Sequence, residues 1–263
     1  MIRPKFTFED LVAPMTVEAF RSSVKGKKPI VLRGGNFKKN FFSNITTWKN
    51  ISEYVANDRA SSGLQVIKPD GEKLCMERNN LHSKPHPAWT GPHWYDKDMV
   101  SNIWSKGGSM ILTKASMLSP NISAIASCLE TEFAKSAADA HFYCSPRKNA
   151  VSFEAHADHD DNFLVHAIGS VHWKVYDVFA RSEMREGRKT FISRMTMKDE
   201  EAGKYKTVID TILHPGDLLY IPSGMFHKAV PETARVSISV PLQENTRQLP
   251  INRNYFDFEK NNS

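Results

Sequence analysis

The stretch Phe153-Glu154-Ala155-His156-Ala157-Asp158-His159-Asp160-Asp161-Asn162-Phe163 gathers imidazoles and carboxylates in one short run of the 263-residue chain. In a strand, side chains two residues apart point to the same side, so His156 and Asp158 can offer a nitrogen and an oxygen to one metal ion. A facial ligand set needs a third member. His227, about 70 residues further on, follows Leu213-His214-Pro215-Gly216-Asp217-Leu218-Leu219-Tyr220-Ile221-Pro222-Ser223-Gly224-Met225-Phe226. A Pro-Gly-Asp turn, an apolar strand and a second Pro/Gly turn would bring the chain back beside the first strand and aim His227 inward. Two histidines and a carboxylate are the set that holds non-haem Fe(II), or Mn, Co, Ni or Zn in its place, with coordination positions left open. An H-x-D pair alone is weak evidence in a chain with ten histidines, so the elements around it must decide.

Those elements read as two textures. Up to about residue 140 the chain alternates short helices and strands. Phe8 to Pro14 and Thr16 to Phe20 read as helices, with Thr16 capping the second, and Lys28 to Gly35 as a first strand. Residues 46 to 57 predict a helix with Trp48, Ile51 and Tyr54 or Val55 inward. Leu64 to Ile67 predicts a strand turned at Pro69-Asp70-Gly71, and residues 79 to 91 a loop. Ser119-Pro120 opens a helix carrying Ile122, Ile125, Leu129 and Phe133 at helical spacing. From 141 to 243 the apolar runs are short and β-branched or aromatic: Ala150 to Ala155, Phe163 to Ile168, His172 to Phe179, Thr207 to Leu213, Leu218 to Ile221, Lys228 to Val230 and Arg235 to Val240. Such spacing predicts an antiparallel sandwich or barrel, interrupted by a charged loop from Arg181 to Lys206.

The run His156-x-Asp158, Phe163, Gly169, Trp173, Tyr176, then Pro215 to Pro222 and His227, closely resembles the JmjC-type oxygenases. The nearest branch is that of the cupin-like ribosomal oxygenases, which hydroxylate ribosomal-protein side chains. Upstream, Phe8 to Phe20 with Lys28 to Arg33 looks like the family's N-terminal part, and Gly107 to Leu112 with Phe142-Tyr143-Cys144-Ser145-Pro146 like the strands before the metal motif. The resemblance thus covers most of residues 6 to 243. It implies a mainly β fold with flanking helices, a double-stranded β-helix of the cupin/JmjC jelly-roll type. It also implies Fe(II) at His156, Asp158 and His227, 2-oxoglutarate and O2 as co-substrates, and a hydroxylated protein or peptide substrate, a ribosomal protein by default. The family members of known architecture carry a dimerisation region and a winged-helix domain after the barrel. Here only about 35 residues follow His227, so a small molecule or a free amino acid stays open as substrate.

One position departs from the family. The Lys or Arg that pairs with the far carboxylate of 2-oxoglutarate usually lies two residues before the Trp matching Trp173, and Val171 stands there. A valine neutralises nothing, and an unpaired carboxylate inside a barrel costs several kcal/mol. His172 and Lys174 are out of phase and face the other way. The alternation of Arg235-Val236-Ser237-Ile238-Ser239-Val240 puts Arg235, Ser237 and Ser239 on one face. An Arg-x-Ser pair on this strand resembles how another branch of the 2-oxoglutarate oxygenases holds the carboxylate, and the fork of Arg suits it. Tyr143 and Asn162 fall where family members place polar groups near the co-substrate. His166, an even number of residues from His156, can face the barrel. His159, Asp160 and Asp161 resemble an acidic rim, and Trp89, His93, Trp94 and Tyr95 are candidates for a substrate cleft. The competing class is a metal-binding cupin-like protein without 2-oxoglutarate turnover, favoured by Val171.

Composition sets the outer bounds. With 40% hydrophobic and 24% charged residues and a net charge of +6, this is the make-up of a globular protein rather than a disordered, collagenous or coiled-coil one. No apolar run is long enough to span a membrane, and the first residues lack a signal peptide's apolar core, so a cytoplasmic location is expected. Three widely spaced cysteines write neither a disulfide framework nor a Cys-based zinc site. Eight basic residues and no acid lie between Ala19 and Ser52, which points to a solvated basic face and leaves direct nucleic-acid binding open. The expected organisation is one domain over 1–263, with an N-terminal helical and strand part (1–140), the metal-binding β-helix core (141–243) and a short tail (244–263). The oligomeric state is not legible.

Overall fold

The computed structural model describes residues 6–56, 63–75, 82–84, 94–134, 136–185 and 188–244. In chain order the elements are α1 (Phe8–Val12), α2 (Val17–Ser23), β1 (Ile30–Leu32), α3 (Asn36–Ser43), α4 (Trp48–Ala56), β2 (Leu64–Ile67), β3 (Lys73–Cys75), β4 (His82–Lys84), β5 (Trp94–Tyr95), α5 (Lys97–Ser105), β6 (Ser109–Leu112) and α6 (Pro120–Glu132). There follow β7 (Ser136–Ala138), β8 (His141–Ser145), β9 (Asp161–Ile168), β10 (Val171–Phe179), β11 (Ser182–Arg185), β12 (Arg188–Phe191), α7 (Met197–Glu201), β13 (Thr207–Leu213), β14 (Leu218–Ile221), β15 (Met225–Pro231) and β16 (Arg235–Glu244).

Two antiparallel sheets face each other. The larger runs β1-β14-β9-β16-β8-β6-β2-β3, with β7 on the far end of β16; the smaller runs β13-β10-β15. Strand alternation sorts their side chains into two layers. Phe142, Cys144, Phe163, Val165, Leu218, Tyr220, Val236, Ile238 and Val240 face the helices. There Phe8 and Phe20 meet at 5.4 Å, Phe20 and Phe163 at 5.8 Å, and Phe20 and Tyr220 at 5.0 Å. The opposite face of the same sheet looks into the barrel, where Leu164, Leu219 and Ile221 pack against Val171, Trp173, Val175, Met225 and Ala229 of the smaller sheet. The large sheet is therefore covered on both sides, and polar residues on its inner face have no route to bulk water except through the barrel mouth.

The helices begin where side chains can take up their free N–H groups. Thr7 caps α1 in a reciprocal pair with Asp10, Thr16 caps α2, and Ser119 caps α6 ahead of Pro120. The Pro-Gly-Asp turn is a structural knot. Gly216 adopts φ +102°, and a Cβ there would meet the Lys39 backbone at 2.8 Å. Asp217 accepts from the backbone N–H of Gly34 (3.0 Å) and of His214 (2.9 Å) and pairs with Arg33 (2.6 Å). Its own carbonyl accepts from His166 N–H, and Gly216 N–H returns a bond to the His166 carbonyl. One turn thus joins β1, β9, β13 and β14.

The charged residues of the basic N-terminal segment are partly internal. Arg21 pairs with Glu132 and Lys25 with Asp161, Arg33 is on Asp217, and the buried Lys38 donates to the Ala13 carbonyl at 2.5 Å. The expectation of a solvated basic face is corrected at the buried Lys38 and the half-buried Lys25, whereas Arg21 and Arg33 stay exposed beside their partners.

Three other expectations are corrected. Residues 150 to 155 form no strand: His156 makes only an isolated bridge, to His227. The Arg181 to Lys206 segment is a hairpin, β11–β12, and a short helix, α7, rather than a plain loop; Thr196 caps that helix and Lys228 of β15 bonds Glu200 at 2.9 Å. Helix α3 was not foreseen, because Asn36 to Ser43 carries no side-chain cap. Of the loop expected at 79–91, His82–Lys84 instead forms β4, paired with β5 (Trp94–Tyr95), and the other residues of that loop, Trp89 included, lie outside the described residues, as do His93 and the tail from 245. Among the described residues no helix is long and apolar enough to cross a membrane.

The knot at Asp217 carries a prediction. Asp217→Ala leaves two backbone N–H groups without their acceptor and should lower unfolding free energy by about 2–4 kcal/mol. Arg33→Ala, which removes only a half-exposed pair, should cost under about 1 kcal/mol. Urea melts of the two variants check the order; equal losses would show that the ion pair, not the turn, is what matters.

Candidate metal centre

The metal motif lies on the segment between β8 and β9 of the large sheet, where the chain runs beside β15 of the small one. His156 and His227 exchange backbone hydrogen bonds, N–H to O at 3.0 and 2.8 Å, and two residues later the Asp158 carbonyl accepts from Gly224 N–H at 2.8 Å. Ser223 closes the other side, its hydroxyl on the His159 carbonyl at 2.6 Å and its N–H on the Asp161 carboxylate at 2.8 Å. The turn at Pro222-Ser223-Gly224 therefore clamps the H-x-D segment against β15 by its backbone, which is why a segment without regular strand pairing holds one shape.

Between these bonds three side chains converge. His156 Nε2 lies 3.8 Å from Asp158 Oδ1, His227 Nε2 lies 3.5 Å from Asp158 Oδ2, and the potential ligand atoms of all three lie within 4.8 Å of one another. Both rings are oriented from behind. His156 Nδ1 sits 2.8 Å from the Glu154 carbonyl and His227 Nδ1 2.9 Å from the Met225 carbonyl. A carbonyl only accepts, so both Nδ1 atoms carry the proton and both Nε2 lone pairs face the shared point. Burial, aided by the neighbouring His227, pushes the His156 imidazole toward its neutral form. Burial works against the Asp158 charge, yet the adjoining His227 and His156 rings and the Asn162 amide hold the carboxyl well below the usual carboxylate range. Two neutral imidazoles and one carboxylate are what a divalent ion requires.

The cavity behind the triad is walled by Tyr143, Asn162, Leu164, Trp173, Ala229, Arg235, Ser237 and Ser239. The sequence reading named Tyr143, Asn162, Arg235, Ser237 and Ser239, and the structure brings all five to this wall. Their hydrogen-bonding duties differ. Asn162 Nδ2 donates to Asp158 Oδ2 at 2.9 Å, and the Ser239 hydroxyl donates to Asn162 Oδ1 at 2.8 Å. This chain fixes which end of the amide meets Asp158, so Ser239 and Asn162 act first on the carboxylate ligand. His166 Nε2 lies 2.9 Å from the Gly169 carbonyl and must carry its proton there, so Nδ1 accepts from the Ser237 hydroxyl at 3.0 Å. Ser237 thus has no proton left for a ligand.

Arg235 is different. It is 3% exposed, its Nε is buried without a partner, and it forms no hydrogen bond or ion pair with any described residue. Burial pulls its guanidinium down to about 10 against the opposing influence of Cys144 and Tyr143. Val171 is buried in the apolar wall, and His172 faces outward to Asp210, as the parity of β10 required. The Tyr143 hydroxyl, too, bonds to no described residue, and burial raises its pKa. The reading missed Trp173 as a polar group: its indole Nε1 is buried without a partner on the same wall, 5.8 Å from His227 between ring centroids. Asp161, expected in an acidic rim, is instead buried, accepting from the Tyr220 hydroxyl at 2.6 Å. His159 stays exposed and stacks on Phe191 at 4.2 Å.

A double-stranded β-helix whose inner face gathers two histidines and an aspartate at the junction of its sheets defines the cupin class of metal-site barrels. Residues 112–249, just over half the chain, match the model of the JmjC domain, and the chain belongs to that family. It is 25% identical over 240 residues to the bifunctional lysine-specific demethylase and histidyl-hydroxylase NO66 of Aedes aegypti, covering 91% of this chain and 34% of that protein. It is 23% identical over 235 residues to ribosomal oxygenase 1 of Danio rerio, covering 89% of this chain and 40% of the relative. Among solved structures, the Escherichia coli ribosomal oxygenase YcfD in complex with cobalt and 2-oxoglutarate superposes with a TM-score of 0.57 at 15% identity, over 89% of this chain and 53% of that one. The chain spans a third to about half the length of these proteins.

Two measurements follow from the geometry. Asn162→Ala leaves all three ligands in place but frees Asp158 to rotate, and should weaken Co(II) binding about ten- to a hundredfold. His227→Ala should abolish it, while His159→Ala should leave it unchanged; retained affinity in His227→Ala would dismiss the triad. The second concerns His166, which burial, with Arg235 adding to it, brings from 6.5 to about 4 despite its bond to Gly169. The unfolded chain then binds the extra proton between those values, so the contribution of His166 to stability is complete above pH 6.5 and falls as the pH drops toward 4. Over that window the metal-free wild type should lose more stability than His166→Gln, by on the order of 3 kcal/mol. Parallel urea melts at the two pH limits read the difference, and identical slopes would contradict it.

Proposed function

We propose that this chain is an Fe(II)- and 2-oxoglutarate-dependent oxygenase that hydroxylates a protein side chain, with a ribosomal protein as the leading substrate class. The observation that carries the reading is the pairing, in one cavity, of an oriented His156/Asp158/His227 ligand set with a buried, unpaired guanidinium at Arg235. The donor set fits the metal, since two Nε2 lone pairs and one anionic carboxylate converge with their backs fixed. The cavity fits the co-substrate, since a buried cation without a counter-ion costs several kcal/mol that a ligand carboxylate would recover. When bound there with O2, the metal supplies the oxidative chemistry by which 2-oxoglutarate becomes succinate and CO2 while one oxygen atom enters a C–H bond of the substrate.

The chain's own residues set the stage for that chemistry. Ser239 and Asn162 hold Asp158 at the metal end. Arg235 lies four residues earlier on the same face of β16, a span of roughly 13 Å along the strand before its long side chain is counted. A ligand with two charged ends thus finds a metal at one end and a guanidinium at the other, and β16 supplies the charge that Val171 of β10 lacks. The side chains of His156 and Asp158 are 41% and 38% exposed whereas that of His227 is 2% exposed, so the centre opens on the H-x-D side. His159 on Phe191, with the exposed Phe179 and Ile192, flanks the H-x-D segment with aromatic and apolar surface against which a polypeptide can lie. The names of the relatives, ribosomal oxygenase and histidyl-hydroxylase, support a protein substrate.

Incubation of the Fe(II)-loaded protein with 2-oxoglutarate, air and purified ribosomal proteins should release succinate in step with the gain of one oxygen atom on a defined side chain, read by mass spectrometry. Arg235→Ala should raise the 2-oxoglutarate Kd about ten- to a hundredfold, the worth of a charge-assisted contact, with metal content unchanged. Metal binding without any 2-oxoglutarate binding by wild type would favour a metal-binding cupin-like protein instead.

A further inference from the structure

Each polar group on the cavity wall has a finite number of protons to give, and most are already engaged. Ser239 gives its hydroxyl proton to Asn162, Asn162 donates to Asp158, and Ser237 gives its proton to His166. What remains uncommitted among the described wall residues is the guanidinium of Arg235, the hydroxyl of Tyr143, the indole N–H of Trp173 and the hydroxyl of Ser152. The first two were legible as polar groups. Trp173 was legible only as a family landmark, and its ring lies in the apolar cluster with Val171, Val175 and Leu164. Its Nε1 nevertheless lies buried with no acceptor, and a buried indole N–H ordinarily finds one.

We propose that the Trp173 indole N–H is a binding group for the co-substrate, donating to the same distal carboxylate that Arg235 neutralises; this rests on the 2-oxoglutarate reading above. Position argues for the distal end. The mouth of the cavity is the exposed H-x-D side, whereas Trp173 Nε1 and Arg235 Nε are both fully buried on its wall, so neither donor lies at the mouth. The strand argues the same way. Val171, Trp173 and Val175 share the inward face of β10, and Val171 offers no donor, so Trp173 is the residue through which this strand can serve the ligand. A carboxylate accepts up to four hydrogen bonds, and a bidentate Arg leaves room for a third donor. Ser237, the natural candidate by the Arg-x-Ser pattern, is excluded by His166.

The test uses two ligands that differ only at the distal end. The Kd values of 2-oxoglutarate and of 2-oxobutyrate, which lacks the distal carboxylate, are measured under anaerobic conditions by calorimetry for the Zn(II)-loaded wild type and for Trp173→Phe. The variant keeps an aromatic ring and removes the N–H. Trp173→Phe should weaken 2-oxoglutarate about five- to twentyfold and leave 2-oxobutyrate within twofold, shrinking the ratio between the ligands. Loss of both affinities in equal proportion would overturn the proposal, since it would mark the ring as packing alone. A wild type that binds both ligands equally would fail the 2-oxoglutarate reading itself, a different outcome from an unchanged preference in Trp173→Phe, which fails only the role of Trp173. In wild type the Trp173 indole proton resonance, assigned by its absence from the Trp173→Phe spectrum, should move downfield on adding 2-oxoglutarate and stay in place with 2-oxobutyrate. An unmoved resonance with 2-oxoglutarate would overturn the proposal even where a variant is poorly folded.

Discussion

The pair of backbone hydrogen bonds between His156 and His227 is the joint on which the rest of the site turns. It ties the third strand of the small sheet to the segment that leads into the large one, so two ligands from places about 70 residues apart in sequence arrive within bonding reach of one point. Side-chain positions then follow from strand parity and from the Glu154 and Met225 carbonyls behind the rings. The Ser223 and Gly224 bonds stop the H-x-D segment from sliding against β15. Because the joint is made of backbone, it depends on the turns before β14 and β15 rather than on any one side chain, which gives the Pro-Gly-Asp and Pro-Ser-Gly sequences their purpose.

A second constraint is electrostatic. The inner face of the large sheet is sealed by helices behind and the small sheet in front, and β16 nevertheless brings an arginine into that space without a counter-ion among the described residues. A fold does not keep such a group for its own stability, since an apolar residue of similar size would serve the core better. On the function proposed above, the charge is retained for a ligand that comes and goes. The same sealed space explains the allotment of protons on the wall: hydroxyls and amides with protein partners are fixed in role, and the unfixed donors mark where a ligand belongs.

Much of this was legible in the sequence because it rests on short-range rules. Turn residues, caps such as Thr16 and Ser119, and the alternation of Arg235 to Val240 each act within a few residues. The facing sheets between 141 and 243 and the triad followed from them together with the likeness to the JmjC family. What was not legible depends on contacts distant in sequence. The segment 150–155 has the composition of a strand but meets no partner strand, so it stays irregular. The charged stretch 181–206 folds into a hairpin and a helix because Lys228 and the outer face of the small sheet receive them. Asp161 has the look of a rim residue and becomes a buried acceptor through Tyr220, 59 positions away. The indole of Trp173 counts as apolar in any pattern, and only the absence of an acceptor in the folded chain exposes its second nature.

The central claim is that one cavity holds Fe(II) at the triad and a 2-oxo acid reaching from that metal to Arg235. It is met most directly by an anaerobic spectroscopic titration. Adding 2-oxoglutarate to the Fe(II)-loaded protein should produce the visible charge-transfer band of a 2-oxo acid chelated to Fe(II), saturating at one equivalent. Adding succinate, which lacks the 2-oxo group, should produce none. A protein that holds Fe(II) at full occupancy yet shows no such band at saturating 2-oxoglutarate would contradict the account.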